Sequence, residues 1–161
     1  MSRIVHQTHE SIRGAMSNPI IRQSQASWKE YASRYGCQYV FWTAEDRDRL
    51  MRQEHSEVYQ QWSSLPLNVM KVDLWRYAML YKYGGIYADA DLIVKRNAPS
   101  LFSGGALLCT TENTEHYCNW LLSAPPRSAL ILHIFDHINK KVLDTFPLTS
   151  VSFAENEHVV H

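Results

Sequence analysis

Charge of one sign, long apolar runs and paired cysteines are what this sequence lacks. Sixteen basic residues balance sixteen acidic ones, and no block of like charge stands out. The electrostatic footprint of a nucleic-acid or anionic-membrane binder is therefore missing. No apolar stretch approaches the roughly 20 residues that cross a bilayer, and Met1-Ser2-Arg3-Ile4-Val5-His6 is too short and too polar for a secretory leader. The expectation is a soluble, cytoplasmic protein with no nucleic-acid partner and no transmembrane segment. Three cysteines, Cys37, Cys109 and Cys118, are odd in number and widely spaced, which suits neither a disulfide framework nor a zinc ribbon. Each is expected as a small buried hydrophobe. No internal repeat or Pro/Gly/Ser linker divides the chain, so its 161 residues, 45% of them hydrophobic, are taken as one domain with one sizeable core.

What is present alternates between strand and helix signals. Arg3 to Gln7 is a short apolar run ending in polar residues, as expected of a buried strand that opens onto a loop. Ile21 to Tyr35 has helical spacing closed by Gly36, and Gln38 to Thr43 forms a second strand-like run. Ala44 to Gln60 is polar and helical, and Pro66 ends that segment. Asn68 to Tyr83 lacks Gly and Pro and is stopped by Gly84-Gly85. Ile86 to Val94 follows as a strand, and Gly105 to Thr110 as another. Cys118 to Leu122 and Leu130 to Val142 are predicted helices separated by Pro125-Pro126. This order implies an α/β sandwich with a largely parallel sheet, in which ligands bind beyond the carboxyl ends of the strands.

In the predicted strand 86–94, period-two alternation places Tyr87, Asp89 and Asp91 on one face and Ile86, Ala88, Ala90 and Leu92 on the other. Two carboxylates held close in an apolar strand repel, and one takes up a proton unless a cation sits beside them. Oxygen-only ligands of this kind suit Mg²⁺ or Mn²⁺, which complete their shells with water and substrate phosphates. A bare Asp-x-Asp also occurs at the frayed, solvated end of many strands. The preceding helix adds Asp73 and Arg76, three residues apart and on one face with Val69 and Leu80. Exposed, such a pair contributes only about 0.2–0.5 kcal/mol; partly buried, it is costly to desolvate. Placed just upstream of the Gly-Gly turn, the pair suits hydroxyl-rich ligands, with Asp73 accepting and Arg76 donating.

The segment from Asp73 to Asp91, D-x-x-R-Y-x-x-L-x-x-x-G-G-I-Y-x-D-x-D, closely resembles the sugar-binding region containing the DXD motif of family 32 glycosyltransferases. That family includes fungal initiating mannosyltransferases and bacterial capsular polysaccharide transferases, and it is akin to the catalytic domains of clostridial glucosylating toxins. Ile4-Val5-His6-Gln7-Thr8 is similar to its opening strand and Tyr39 to Thr43 to its second; 116–120 and 143–149 echo later segments faintly. The resemblance implies a GT-A (Rossmann-like) fold, a divalent cation (Mn²⁺ or Mg²⁺) and a nucleotide-sugar donor, UDP- or GDP-linked. It also implies hexose transfer with retention to a glycan, lipid or protein, as in polysaccharide biosynthesis. Asp89 and Asp91 would hold the metal and, with Asp73 and Arg76, form the catalytic set. Gln7, Thr8, Asp73, Arg76, Tyr77, Gly85, Tyr87, Asp89 and Ala90 would line the donor site.

Two departures from the family pattern carry expectations of their own. Where relatives have T-G-P this chain has Thr145-Phe146-Pro147, and it stops soon after, so the domain is expected to be minimal or truncated there. His158 or His161 are the candidates for the further metal or phosphate contact that relatives take from their C-terminal part. The pair His133 and His137, beside Asp136, has zinc-like spacing but no further ligand, and Trp42 is as well placed for the core as for a base. Two other functions compete. One is a truncated nucleotide-sugar-binding module without turnover. The other is a phosphatase using an Asp-x-Asp nucleophile, in which Ile93 stands where Thr or Val is usual.

Overall fold

The computed structural model describes residues 3–102, 108–111 and 116–145. In chain order the elements are β1 (Ile4–Thr8), α1 (Ile12–Ser17), α2 (Pro19–Arg34), β2 (Gln38–Trp42), α3 (Ala44–Glu54) and α4 (Ser56–Ser64). They continue with α5 (Asn68–Tyr83), β3 (Gly85–Ala88), β4 (Leu108–Thr111), β5 (Tyr117–Ala124) and α6 (Ala129–Thr145). The sheet runs β2-β1-β3-β5-β4. β1 pairs in parallel with β2 and β3, β5 lies antiparallel to β3, and β4 antiparallel to β5, so four of the five strands share one direction. This is the expected α/β fold, an open Rossmann-like sheet of GT-A type.

Helices cover both faces. On one, Trp28, Tyr31 and Ala32 of α2 pack on Val5, Ile86, Ala88 and Leu121. On the other, Leu74, Trp75, Ala78 and Met79 of α5 and Ile131 and Phe135 of α6 pack with Tyr87, Leu122 and Ala124. Alternation along β3 therefore sorts side chains as expected, with Tyr87 on one side and Ile86 and Ala88 on the other, but both sides are buried. A strand covered on both faces is what a parallel sheet between helix layers requires.

The structure corrects several expectations. Residues 118–122 belong to β5, not to a helix. A short apolar run has no decisive period, and here pairing with β3 and β4 on either side settles it. The strand from Ile86 stops at Ala88 rather than Val94. The polar stretch from Ala44 is two helices broken at His55, and α1 is an element that the patterning misses. Helix α5 has no apolar stripe: every residue from Leu74 to Leu80 is buried, while Val69 is exposed. The cysteines are half-buried rather than core.

At the centre of β1 stands His6, 1% exposed. The Trp42 indole N–H donates to its Nδ1 (3.1 Å), which leaves Nε2 to donate to the Gly84 carbonyl (2.9 Å); the ring is the neutral Nε2–H tautomer. Burial lowers its pKa to about 4, against an opposing push from the Gly84 bond. A depressed histidine stabilises the fold above its unfolded value near 6.5, and that contribution drains away as pH falls toward 4. The loss across this window is expected to be about 3 kcal/mol. His6→Gln should start less stable at pH 7.5 but lose about that much less between pH 6.5 and 4 in urea unfolding. Parallel curves for the two proteins would place the acid sensitivity elsewhere.

Candidate active site

β1, β2 and β3 run parallel and end together at Thr8, Trp42 and Ala88, and the carboxyl ends of such strands are where an open α/β sheet binds ligands. Asp89 leaves the sheet here. Its N–H still bonds the Trp120 carbonyl (2.9 Å) and its own carbonyl accepts from Leu92 N–H (3.1 Å), so Asp89 to Leu92 forms a turn. The expectation that Asp91 shares a strand face with Asp89 is thereby corrected. Asp89 is half-buried beside the sheet, whereas Asp91 is exposed on the turn, past the last ladder bond.

Arg76 reaches this point from the middle of α5. Its side chain is 4% exposed and binds the two flanking acids: Nη2 donates to Asp73 Oδ1 (2.6 Å), and Nη1 lies 3.4 Å from Asp89 Oδ1. Nη1 also donates to the Asn119 carbonyl (2.5 Å), while Nε is buried without a partner. Its guanidinium carbon stands 4.6 Å from the centre of the Tyr87 ring, and the Tyr87 hydroxyl donates to Asp89 Oδ1 (2.6 Å). Asn119 Nδ2 completes the group on Asp73 (3.3 Å). The helical three-residue spacing of Asp73 and Arg76 thus becomes a bridge between α5 and the end of β3, buried at the guanidinium and open to solvent at Asp73. The guanidinium is the desolvated partner and is costly to bury without its acids, while Asp73 and Asp89 each keep part of their surface in water.

Electrostatics sharpen the point. Burial raises the Asp89 pKa; Arg76 and the Tyr87 hydroxyl pull it back, and the charges of Asp91 and Asp73 push it further up. Arg76 meets Asp73 and Asp89, and the charge of Asp91 acts on Asp89 from the turn, so one guanidinium stands among three carboxylates, an excess of two negative charges when all are ionised. The donor chemistry, two carboxylates on a turn, fits a hard divalent cation that keeps waters and takes its other ligands from phosphates. Among the described residues no group of three or more His, Cys, Asp or Glu is placed to hold a metal ion by itself, so a cation here would need its remaining ligands from water and phosphate.

The other candidates fall into place around this group. Gln7 is fully buried, and its amide is taken up by Ser24, the Asp89 carbonyl and Tyr39, so it lies behind the turn. Thr8 is buried too, donating to the Trp42 carbonyl (2.8 Å) and accepting from Arg47 (2.6 Å). Tyr77 lines a cavity of about 400 Å³ with Asn119, Cys118 and Leu122; burial raises its hydroxyl pKa. Tyr87 is buried against Arg76, and its pKa rises well above 10.0, mainly through burial. Ala90 sits in the turn. Gly85 packs against β1, where a side chain would meet the Ile4 carbonyl.

Sequence reasoning missed Arg47 and Asn119. Arg47, 3% exposed, ties Thr8, the His9 carbonyl and Glu10 together beyond β1. Its only sequence signal is an arginine in the first turns of a capped helix. Asn119 falls in β5, a segment whose local pattern predicts a helix. Trp42 belongs to an aromatic group with His6, Trp75 and Tyr83. His133, Asp136 and His137 are exposed on α6. Phe146, Pro147, His158 and His161 lie outside the described residues.

Known proteins place the chain among glycosyltransferases by sequence. A family profile described as "Glycosyltransferase sugar-binding region containing DXD motif" matches residues 20–107. Over 155 residues the chain is 27% identical to inositol phosphoceramide mannosyltransferase 1 of Schizosaccharomyces pombe, covering 93% of this chain and 47% of that protein. It is 32% identical over 89 residues to inositol phosphoceramide mannosyltransferase 3 of the same yeast, covering 55% of this chain and 21% of the relative. With mannosyl phosphorylinositol ceramide synthase CSH1 of Saccharomyces cerevisiae it shares 30% identity over 96 residues, 60% of this chain and 25% of that protein. The chain spans about half the length, or less, of the curated relatives it matches.

Proposed function

Since the chain belongs to the glycosyltransferase family whose sugar-binding region contains the DXD motif, we propose that it transfers a hexose from a nucleotide-sugar donor, UDP- or GDP-linked. The observation that carries the proposal is Arg76, buried at the carboxyl end of β3 and bridging Asp73 to Asp89, two residues before Asp91. A purely structural ion pair has no need of a second and third carboxylate at a strand end. The relatives' names speak of mannosyl transfer to an inositol phosphoceramide, which makes a mannosyl donor and an inositol-phosphate lipid the first donor and acceptor to test.

In this proposal Asp89 and Asp91 hold a divalent cation, Mn²⁺ or Mg²⁺, which when bound neutralises charge on a departing diphosphate as a Lewis acid. Asp73, half-exposed, accepts from sugar hydroxyls, and Arg76 donates to hydroxyl or phosphate oxygen while fixing both aspartates. Tyr87 fixes the Asp89 carboxylate through its hydroxyl and takes no proton itself. The chain's contribution is positioning and charge stabilisation. Transfer proceeds with retention and no protein base, the leaving phosphate oxygen receiving the acceptor's proton.

The test is nucleotide release from a panel of UDP- and GDP-sugars with Mn²⁺, with and without chelator. Cation-dependent release is the expected result. Binding without release would make the chain a nucleotide-sugar-binding module, and phosphate release from simple phosphomonoesters would favour the phosphatase. Arg76→Ala should weaken binding of the intact donor more than that of the free nucleoside diphosphate, as read by titration calorimetry. It should also cost about 1–2 kcal/mol in urea unfolding, because Asp73 and Asp89 lose a charge-assisted hydrogen-bond partner while remaining partly in water. Equal binding losses would mark Arg76 as structural.

A further inference from the structure

We propose that Gln7, Ser24 and Trp28 form a buried clamp that sets the shape of the Asp89 to Leu92 turn and so determines how tightly its carboxylates hold a cation. The inference rests on the proposed cation at Asp89 and Asp91 and adds three positioning residues to it.

The turn is held at both ends from beneath. At its start, the Asp89 carbonyl accepts from Gln7 Nε2 (3.0 Å) besides the turn's own Leu92 N–H. At its end, the Leu92 carbonyl accepts from both Ser24 Oγ (2.6 Å) and the Trp28 indole N–H (2.7 Å). The two anchors are joined, since Gln7 Nε2 also donates to Ser24 Oγ (2.9 Å). Gln7 is held in turn through Oε1 by the Tyr39 hydroxyl (2.9 Å). Gln7, Ser24 and Trp28 are all 1% exposed or less, so no water competes for these bonds. β1 supplies one anchor and α2 the other, and β2 locks the first.

A turn leaving the end of a strand ordinarily finishes its hydrogen bonds in solvent. Here three buried polar side chains from two elements converge on two carbonyls, and the four residues they bracket carry both carboxylates. Mutual repulsion of Asp89 and Asp91 favours a spread turn; the clamp opposes it without touching either side chain. A cation site depends on such outer partners, whose loss typically lowers metal affinity about 10–100-fold, because ligand oxygens must sit within about 0.5 Å of their productive places.

The test uses the full chain with Ser24→Ala and Trp28→Phe, the latter keeping the ring's bulk without its N–H. Ser27→Ala serves as control: that hydroxyl, on the same helix, accepts from Val94 N–H (3.1 Å), beyond the turn. Mn²⁺ binding in the presence of UDP or GDP is read by electron paramagnetic resonance, and metal-free diphosphate binding by calorimetry. Ser24→Ala and Trp28→Phe should each weaken Mn²⁺ about 10–100-fold, leave metal-free diphosphate affinity unchanged, and recover donor turnover at high Mn²⁺. Ser27→Ala should match wild type. If the two clamp variants, folded by circular dichroism, bind Mn²⁺ like wild type, or if Ser27→Ala weakens it equally, the clamp does not set cation affinity. No Mn²⁺ signal with the wild-type chain would instead overturn the cation site itself.

Discussion

Asp91→Asn is expected to lower cation-dependent donor turnover by about 10²–10³-fold at saturating donor, the scale on which removing one stabilising group from a preorganised site acts. The substitution is nearly isosteric and lies on an exposed turn, so folding stability should move by no more than about 0.5 kcal/mol. What changes is charge. With three carboxylates against Arg76 the site carries two excess negative charges; with two it carries one, and a neutral amide oxygen replaces a carboxylate as ligand. The loss should therefore appear as a weakened Mn²⁺ dependence in initial-rate measurements, and added Mn²⁺ should recover part of it. Asp89 offers a less clean experiment, because its carboxylate also receives the Tyr87 hydroxyl and stands next to Arg76, so replacing it disturbs the fold and the site together. Turnover by Asp91→Asn equal to wild type would remove this residue from the cation site.

The parts of this site that were legible in the sequence are those written in local signals. Helix α5 runs from Asn68 to Tyr83 as its spacing and the Gly-Gly stop predict, and Asp73 and Arg76 meet because residues three apart on a helix must. The end of β3 was not legible. Asp89 to Val94 alternates well enough to continue a strand, and only the tertiary turn, pinned from β1 and α2, ends it at Ala88. The burial of Gln7 was hidden for the same reason: its partners Ser24 and Asp89 are 17 and 82 residues away. β5 is not legible because Cys118 to Leu122 is too short for its period to count, and its identity comes from β3 and β4 alongside it. Arg47 carried no pattern at all; its burial follows from where the end of β1 happens to pass.

The largest structural effect is expected at Gly85, which resemblance assigns to the donor site but which geometry makes a packing residue. Its φ is +99°, in the region that favours glycine, and a Cβ there would stand 2.3 Å from the Ile4 carbonyl oxygen and 3.3 Å from His6 Nε2. β1 cannot retreat easily, because it is paired with β2 along its length and with β3 at Val5 and His6. Gly85→Ala combines backbone strain of about 1–3 kcal/mol with overpacking of about 1–3 kcal/mol, so roughly 4 kcal/mol is expected in urea unfolding. That is a large share of a domain's total stability. Gly36 separates the two contributions: its φ is +61°, yet nothing lies within 4 Å of a built Cβ, so Gly36→Ala should cost only the backbone part, about 1 kcal/mol. Equal losses at the two glycines would mean that β1 yields to the new methyl group. A much greater loss at Gly85 would explain the second glycine of the motif physically: β3 must pass close enough to β1 to deliver Tyr87 and Asp89 to Arg76, and only a residue without a side chain permits it.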